Sequence, residues 1–229
     1  MIEISVKRGL TEIMPLLNYL DGKKAFICGG YARFCLSPVH NPVEAVDIDI
    51  YCEDNETFEK IKADFASEKL EVRHENNMAI TYTRQKEGKY QFCPTLQLIK
   101  PIKEGSVVAT GDMATILENF DFTVIRCALT KKDGVYIGIG DEEFEADEEK
   151  KFLNIKNIHC PISSTLRFMK YARKGYWTKP IQIVRLFADW DARTDEYRMK
   201  IVETIKELQS GKELSQEDID ELEKLMRID

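Results

Sequence analysis

No two cysteines in this sequence are spaced C-x-x-C, and it has only three histidines. The six cysteines, at positions 28, 35, 52, 93, 127 and 160, give neither a zinc pattern nor a disulfide framework, so reduced thiols are expected. Long apolar runs are missing too. The first twenty residues, MIEISVKRGLTEIMPLLNYL, lack the apolar core of a signal peptide, and no stretch approaches membrane-spanning length. A cytoplasmic protein is the expectation. Positive charge is in deficit: 33 Lys and Arg against 40 Asp and Glu leave a net −7, which argues against nucleic-acid binding by bulk electrostatics. Repeats and low-complexity tracts are absent. The only Ser-Gly pair, Ser210-Gly211, lies in a loop-like stretch, so nothing points to an acyl hydrolase.

What remains is a chain of 229 residues, 43% hydrophobic, able to bury a core as one large or two small domains. GLTEIMPLLNYL reads as a helix ended by Asp21-Gly22. KAFIC is a short strand that runs into Gly29-Gly30 and a brief helix, YARFCL. A loop, SPVHNP, precedes a strand, VDIDIYC, and the helix NETFEKIKADFASEKL, with Asn55 as the expected N-cap. EVRHENNMAITYTRQ and KYQFCPTLQLIKP carry strand signals on either side of KEGK, which predicts a hairpin. TGDMATILENF reads as a helix capped near Thr110. DFTVIRCALT and VYIGIG flank Asp133-Gly134, a strong hairpin signal. DEEFEADEEKK reads as a solvated connection. After about residue 160 everything reads as helix: SSTLRFMKYARKGY, PIQIVRLFADWDARTDEYRMKIVETIKELQ and a final SQEDIDELEKLMRI with a capping-box-like start at Ser215 and Asp218. The expected class is α+β, a mixed sheet flanked by helices followed by a helical C-terminal region.

Asp47 and Asp49 give VDIDIYC its chemical interest. Residues two apart in a strand share a face, their Cα atoms about 6–7 Å apart. Two carboxylates there repel, and a hard divalent cation such as Mg²⁺ would remove the repulsion. The plain alternative is a half-exposed strand with its polar face in water. Gly29-Gly30 tips the balance, because a strand-to-helix turn can face backbone N–H groups toward an anion. A phosphate cradle some eighteen residues before a metal-binding pair suits nucleotidyl transfer, and Arg33 adds a cation nearby.

GGYAR followed by DIDIY resembles the signature of the nucleotidyltransferase superfamily, the polymerase-beta-like fold. The nearest flavour is the head and neck of CCA-adding enzymes and bacterial poly(A) polymerases, with G-G-x-V-R-D, then D-x-D. FDFTVIRCAL is similar to a second signature, R-R-D-F-T-I-N-A, through Asp121, Phe122 and Thr123. SSTLRFMKYARKGY is similar to the start of the neck, where the family has E-D-x-x-R. The resemblance covers roughly residues 25–175 and implies a head domain over 1–155 and a neck-like region over 156–229. It implies that Gly29 and Gly30 contact a triphosphate and that Arg33 supports that loop or the phosphates. Asp47 and Asp49 would hold catalytic Mg²⁺ or Mn²⁺. Asp121 would lie near the nucleotide sugar and Arg167 near the base, and Arg126 would supply a charge. Phe34, Asn119, Phe120, Ser163 and Ser164 depart from the pattern, the two serines replacing the base-selecting Glu-Asp pair, which speaks against CCA specificity. The best match for a third carboxylate strand, TLQLIK, offers the neutral Gln97.

Arg167, Lys170, Arg173 and Lys174 share one side of a helix that also carries Phe168 and Tyr171, with Tyr176, Trp177 and Lys179 following. Such a strip can follow an RNA backbone and stack bases. The alternative is a solvated face with Phe168 and Tyr171 in the core. His40, His74 and His159 show no ligand or triad spacing. Cys28 and Cys127 are expected in the core, and the later D-x-D in DIDELEKLM falls on different sides of a charged helix. The reading is therefore a metal-dependent nucleotidyltransferase acting on a nucleoside triphosphate and an acceptor hydroxyl, with RNA, tRNA included, favoured as acceptor by the resemblance. The other reading is a degenerate relative that binds nucleotide or RNA or serves as an inhibitory partner.

Overall fold

The computed structural model describes residues 1–40, 47–85, 88–91, 93–104, 107–195, 198–199 and 202–203. Parts of SPVHNP and of the KEGK turn, and the whole final helix expected from Ser215, lie outside the described residues, as does the second D-x-D.

The chain begins with β1 (Ile2–Ile4), α1 (Leu10–Leu20), β2 (Ala25–Cys28) and α2 (Gly29–Leu36). Then come β3 (Asp47–Cys52), α3 (Asn55–Ser67), β4 (Val72–Glu75), β5 (Ala79–Tyr82) and β6 (Thr95–Ile99). β7 (Lys103–Glu104) and β8 (Val107–Val108) form a two-stranded ribbon apart from the main sheet. α4 (Met113–Glu118), a 3-10 turn over Thr123–Ile125, β9 (Cys127–Lys132) and β10 (Val135–Gly140) follow. α5 (Phe144–Lys150), α6 (Pro161–Ala172) and α7 (Pro180–Asp191) complete the elements. The main sheet has the order β1-β10-β9-β2-β3-β6-β5-β4, with β3 and β6 parallel and every other pair antiparallel. This is the expected mixed α+β architecture.

Alternation along β2 and β3 decides which side of the sheet each residue meets. Ile48, Ile50 and Cys52 join Ile27 and the buried faces of α1, α2 and α3 in the largest apolar cluster. Phe26 and Cys28 point the other way and pack with Ile116 and Leu117 of α4 and Ala128 of β9. Asp47, Asp49 and Tyr51 therefore lie on the face opposite α1–α3. A third cluster joins Phe122, Val124 and Ile125 to Leu153, Ile155, Tyr171, Tyr176 and Leu186, so α6 and α7 share a core with the turn after α4.

Several boundaries differ from the sequence reading. Asp54, not Asn55, caps α3 by accepting from the Thr57 N–H at 2.8 Å, because a carboxylate one residue earlier reaches the free N–H. Asp112 likewise caps α4 in place of Thr110. EVRHENNMAITY divides into β4 and β5, since the Asn76 side chain accepts from the Met78 and Ala79 N–H groups and turns the chain. The expected hairpin partner survives as β5 against β6. The helix from Pro180 stops at Asp191. DEEFEADEEKK is not a solvated connection: it forms α5, with Phe144, Asp147 and Glu148 buried. Asp133 and Gly134, at φ 52° and 80°, form the tight turn between β9 and β10. All six cysteines are buried and unbridged, and no helix of the described residues is long and apolar enough to cross a membrane.

Candidate nucleotide site

The centre of the site is where β2 hands over to α2 beside β3. Cys28, the last residue of β2, pairs with Asp49. Gly29 then takes φ +69°, and a Cβ placed on it would lie 3.4 Å from Asp49 Oδ2. Only a residue without a side chain turns the chain here without strain and leaves the space beside the carboxylate open. A Gly29→Ala chain should lose about 1–2 kcal/mol from the left-handed backbone alone, read as a fall in thermal midpoint. The new methyl group would also stand against Asp49.

Asp47 and Asp49 are both partly exposed on one face of β3. Burial, then the charge of Asp47, pushes the Asp49 carboxyl up to about 7, while Lys170 and Arg167 pull it down. In β6, Gln97 stands in register beside Asp49, so the neighbouring strand supplies an amide there and not a third charge. Among the described residues no group of three or more His, Cys, Asp or Glu side chains is positioned around a metal. The two aspartates nevertheless fit a hard divalent cation: they are oxygen donors on one face, and burial, then the charge of Asp47, gives Asp49 a raised proton affinity that such a cation would replace.

The α6 residues named in the sequence take different positions. Arg167 forms an ion pair with Asp121 Oδ2, which brings the expected base-side and sugar-side residues together. Lys170 is exposed and its charge acts on Asp49. Lys174 is half-buried; burial lowers its pKa, with Arg33 and Lys170 repelling it and Asp47 attracting it. The basic side of α6 thus opposes the β3 carboxylates. Tyr171 and Tyr176 are buried and Phe168 packs against their cluster, whereas Trp177 is exposed and donates its ring N–H to the Lys150 carbonyl at 3.0 Å.

Two arginines expected at the nucleotide, Arg33 supporting the loop or the phosphates and Arg126 supplying a charge, are turned inward. Arg33 is 1% exposed and its Nη1 lies 2.8 Å from Glu148 Oε1, with the Tyr176 hydroxyl accepting at 3.0 Å. It braces α2 from behind and does not reach for a phosphate. Arg126 is also buried, its Nη1 3.2 Å from Asp141 Oδ2 and its Nε donating to the Leu117 carbonyl. Each is held by a carboxylate the sequence reading placed on a solvated stretch.

Tyr51 was missed. It continues the Asp47–Asp49 face, its ring packs edge-on to Phe120 with centroids 5.7 Å apart, and its hydroxyl pKa is raised by burial and then by Asp49, with Asp121 also contributing. The D-I-D-I-Y alternation was the available signal. Asp121 itself is 4% exposed and its carbonyl accepts from the Lys156 N–H at 2.8 Å, which ties it to the strand-like segment entering α6.

A sequence profile described as Gad2, Gabija anti-defense 2 family protein, matches residues 6–140, more than half of the chain. The chain belongs to the Gabija anti-defense 2 family. No curated protein matches it. Solved structures match the chain as well. The Thermotoga maritima CCA-adding enzyme complexed with tRNA is 15% identical with a TM-score of 0.57, covering 81% of this chain and 45% of its own. A tRNA-processing enzyme in apo form is 18% identical with a TM-score of 0.54, covering 81% and 48%. A CCA-adding enzyme with CTP is 18% identical with a TM-score of 0.52, covering 93% and 51%. This Gad2-family chain therefore has the nucleotidyltransferase fold of the CCA-adding enzymes and spans about half the length of the solved structures it matches.

Proposed function

We propose that the protein counters Gabija defence as a nucleotide-binding, inhibitory member of the nucleotidyltransferase fold, with a nucleoside triphosphate and Mg²⁺ or Mn²⁺ held between β3 and α6. The observation that carries this reading is the Asp47–Asp49 face, opposed by Lys170 and bordered by the open turn at Gly29. Asp47 and Asp49 would hold the cation, which when bound neutralises phosphate charge. Gly29 and Gly30 would let the phosphates approach the backbone, and Lys170 and Lys174 would balance the remaining charge. Three features favour binding over turnover: Gln97 beside Asp49, Arg33 and Arg126 committed to buried carboxylates, and Arg167 paired with Asp121.

The second reading is transfer of a nucleoside monophosphate to an acceptor hydroxyl with release of pyrophosphate, favoured by the intact carboxylate pair. RNA is the acceptor that the CCA-adding likeness brings forward; a hydroxyl of a Gabija component is the one that the family brings forward. One experiment separates the readings. The protein and its Asp47→Ala, Asp49→Ala double variant are expressed in Gabija-bearing cells, and the purified chains are incubated with α-labelled triphosphates, Mg²⁺ or Mn²⁺, and RNA or the Gabija components. Binding is expected in the wild type, at least tenfold weaker in the double variant, whose protection is lost. Label passing to RNA or protein establishes transfer. Full protection by a double variant that no longer binds nucleotide overturns the role given to this cleft.

A further inference from the structure

The end of α6 holds two cations against one aromatic ring. Arg33 Cζ lies 5.9 Å from the centre of the Tyr171 ring and Lys174 Nζ lies 5.3 Å from it, close enough for the ring to attract both. Tyr176 packs edge-on to the same ring, with centroids 5.1 Å apart and planes at 88°. Its hydroxyl accepts from Arg33 Nη1 at 3.0 Å and donates to Glu148 Oε1, so it is used in both directions. Its backbone is fixed as well: Gly175 takes φ +85°, and the Tyr176 N–H donates to the Tyr171 carbonyl at 3.1 Å, closing the last turn of α6. Tyr176 therefore joins the C-terminal turn of α6 to Arg33 on α2. Arg33 stands one turn from Gly29, about 6 Å along the helix axis.

The two cations differ in what they are committed to. Arg33 is buried against Glu148, 2.8 Å away. Lys174 is half-buried and makes no salt bridge among the described residues. Arg167, Lys170 and Lys174 follow one another at spacings of three and four and so share a side of α6. The helix is held at two points, by Arg167 on Asp121 and by Tyr176 on Arg33 and Glu148, with Lys170 and Lys174 between them. Burial, then repulsion from Arg33 and Lys170, lowers the Lys174 pKa, while Asp47 attracts its charge; an anion alongside would offset that repulsion. We infer that Tyr176 is a positioning residue: through the Tyr171 ring and Arg33 it holds Lys174 on the α2 side of the cleft, where Lys174 serves as the triphosphate cation first expected in Arg33. The inference rests on the nucleotide-binding reading and adds the residue that places its cation.

The test compares the full chain with Tyr176→Phe, Lys174→Ala and the double variant, by calorimetry in Mg²⁺ with ATP and inorganic tripolyphosphate. Phenylalanine keeps the ring against Tyr171 but neither accepts from Arg33 nor donates to Glu148. Lys174→Ala should weaken both ligands about tenfold, the worth of one charged contact to phosphate. Tyr176→Phe should weaken them about fivefold, and the double variant should be no weaker than Lys174→Ala alone, since Tyr176 then has no cation to place. Losses that multiply in the double variant overturn the inference. So does a Tyr176→Phe chain with a lowered thermal midpoint and wild-type affinity, which assigns Tyr176 a structural role only. A ligand-free arm measures acylation of Lys174 by mass spectrometry: Tyr176→Phe should raise it at least twofold and leave the exposed Lys132 as in wild type. Unchanged acylation of Lys174 removes the role of Tyr176. A wild type that binds neither ligand instead removes the nucleotide reading, and the role of Lys174 with it.

Discussion

Glu148→Ala should destabilise the protein by about 3–5 kcal/mol, the usual cost of removing one partner of a buried ion pair. Glu148 and Arg33 are each 1% exposed. Glu148 Oε1 receives Arg33 Nη1 at 2.8 Å, the Tyr176 hydroxyl and the Ser37 hydroxyl at 3.2 Å. Alanine would remove the carboxylate that faces the guanidinium in a low-dielectric interior, where losing a buried counter-charge costs far more than losing a surface pair. Urea unfolding should show the change as a shifted midpoint with an unchanged slope. Replacing both partners, Arg33→Met with Glu148→Leu, should recover much of the loss, because no unpaired charge remains. A Glu148→Ala midpoint within about 0.5 kcal/mol of wild type would mean that water or another group reaches Arg33. The pair matters beyond stability, since it fastens α2, whose first residue is the Gly29 turn, to α5 and to Tyr176 just after α6. Loosening it should disturb both walls of the cleft.

This pair also marks where sequence reasoning stops. Asp47 and Asp49 were legible because strand alternation is local: polar and apolar residues two apart determine a face without knowledge of the rest of the chain. Gly29 was legible for the same reason, as a turn between a strand and a helix. Asp133-Gly134 specified its hairpin through backbone conformation alone. Arg33 and Glu148 are 115 residues apart, and nothing near either one announces the other. An arginine beside a glycine pair looks like a phosphate ligand, and an acidic stretch looks solvated, until tertiary packing puts the two together. α5 was hidden by its charge: Phe144, Asp147 and Glu148 do recur at helical spacing, but two of the three inward residues are acids. Arg126 likewise has a distant partner, Asp141, standing at the edge of that stretch.

Without a bound cation, stability should fall as pH rises from about 4 to about 7, and Asp49→Asn should remove that part of the fall. The Asp49 carboxyl ordinarily ionises near 3.8 and is pushed up to about 7 in the fold, first by burial and then by Asp47. Between those values the folded state holds a proton that the unfolded chain has released. The folded state therefore binds more protons, and the free energy of unfolding decreases with increasing pH. Below 3.8 both states are protonated and the contribution is fully present; above about 7 both are ionised and it is lost. The full displacement corresponds to about 4 kcal/mol, and partial solvent access reduces the expected effect to about 1–3 kcal/mol. Asparagine keeps the shape and carries no charge, so at pH 8 the variant should be the more stable protein while having lost a negative charge that the proposed cation site would use, the trade expected of a site that concentrates like charge for function. Urea midpoints between pH 4.5 and 8 give the slope. Mg²⁺ supplies the complementary arm: at pH 8 it should raise the wild-type midpoint and leave Asp49→Asn unmoved, because only the carboxylate pair gains from a cation. An asparagine variant less stable than wild type at pH 8 would show that Lys170 and Arg167 already satisfy the charge, and the case for a cation at Asp47 and Asp49 would fall with it.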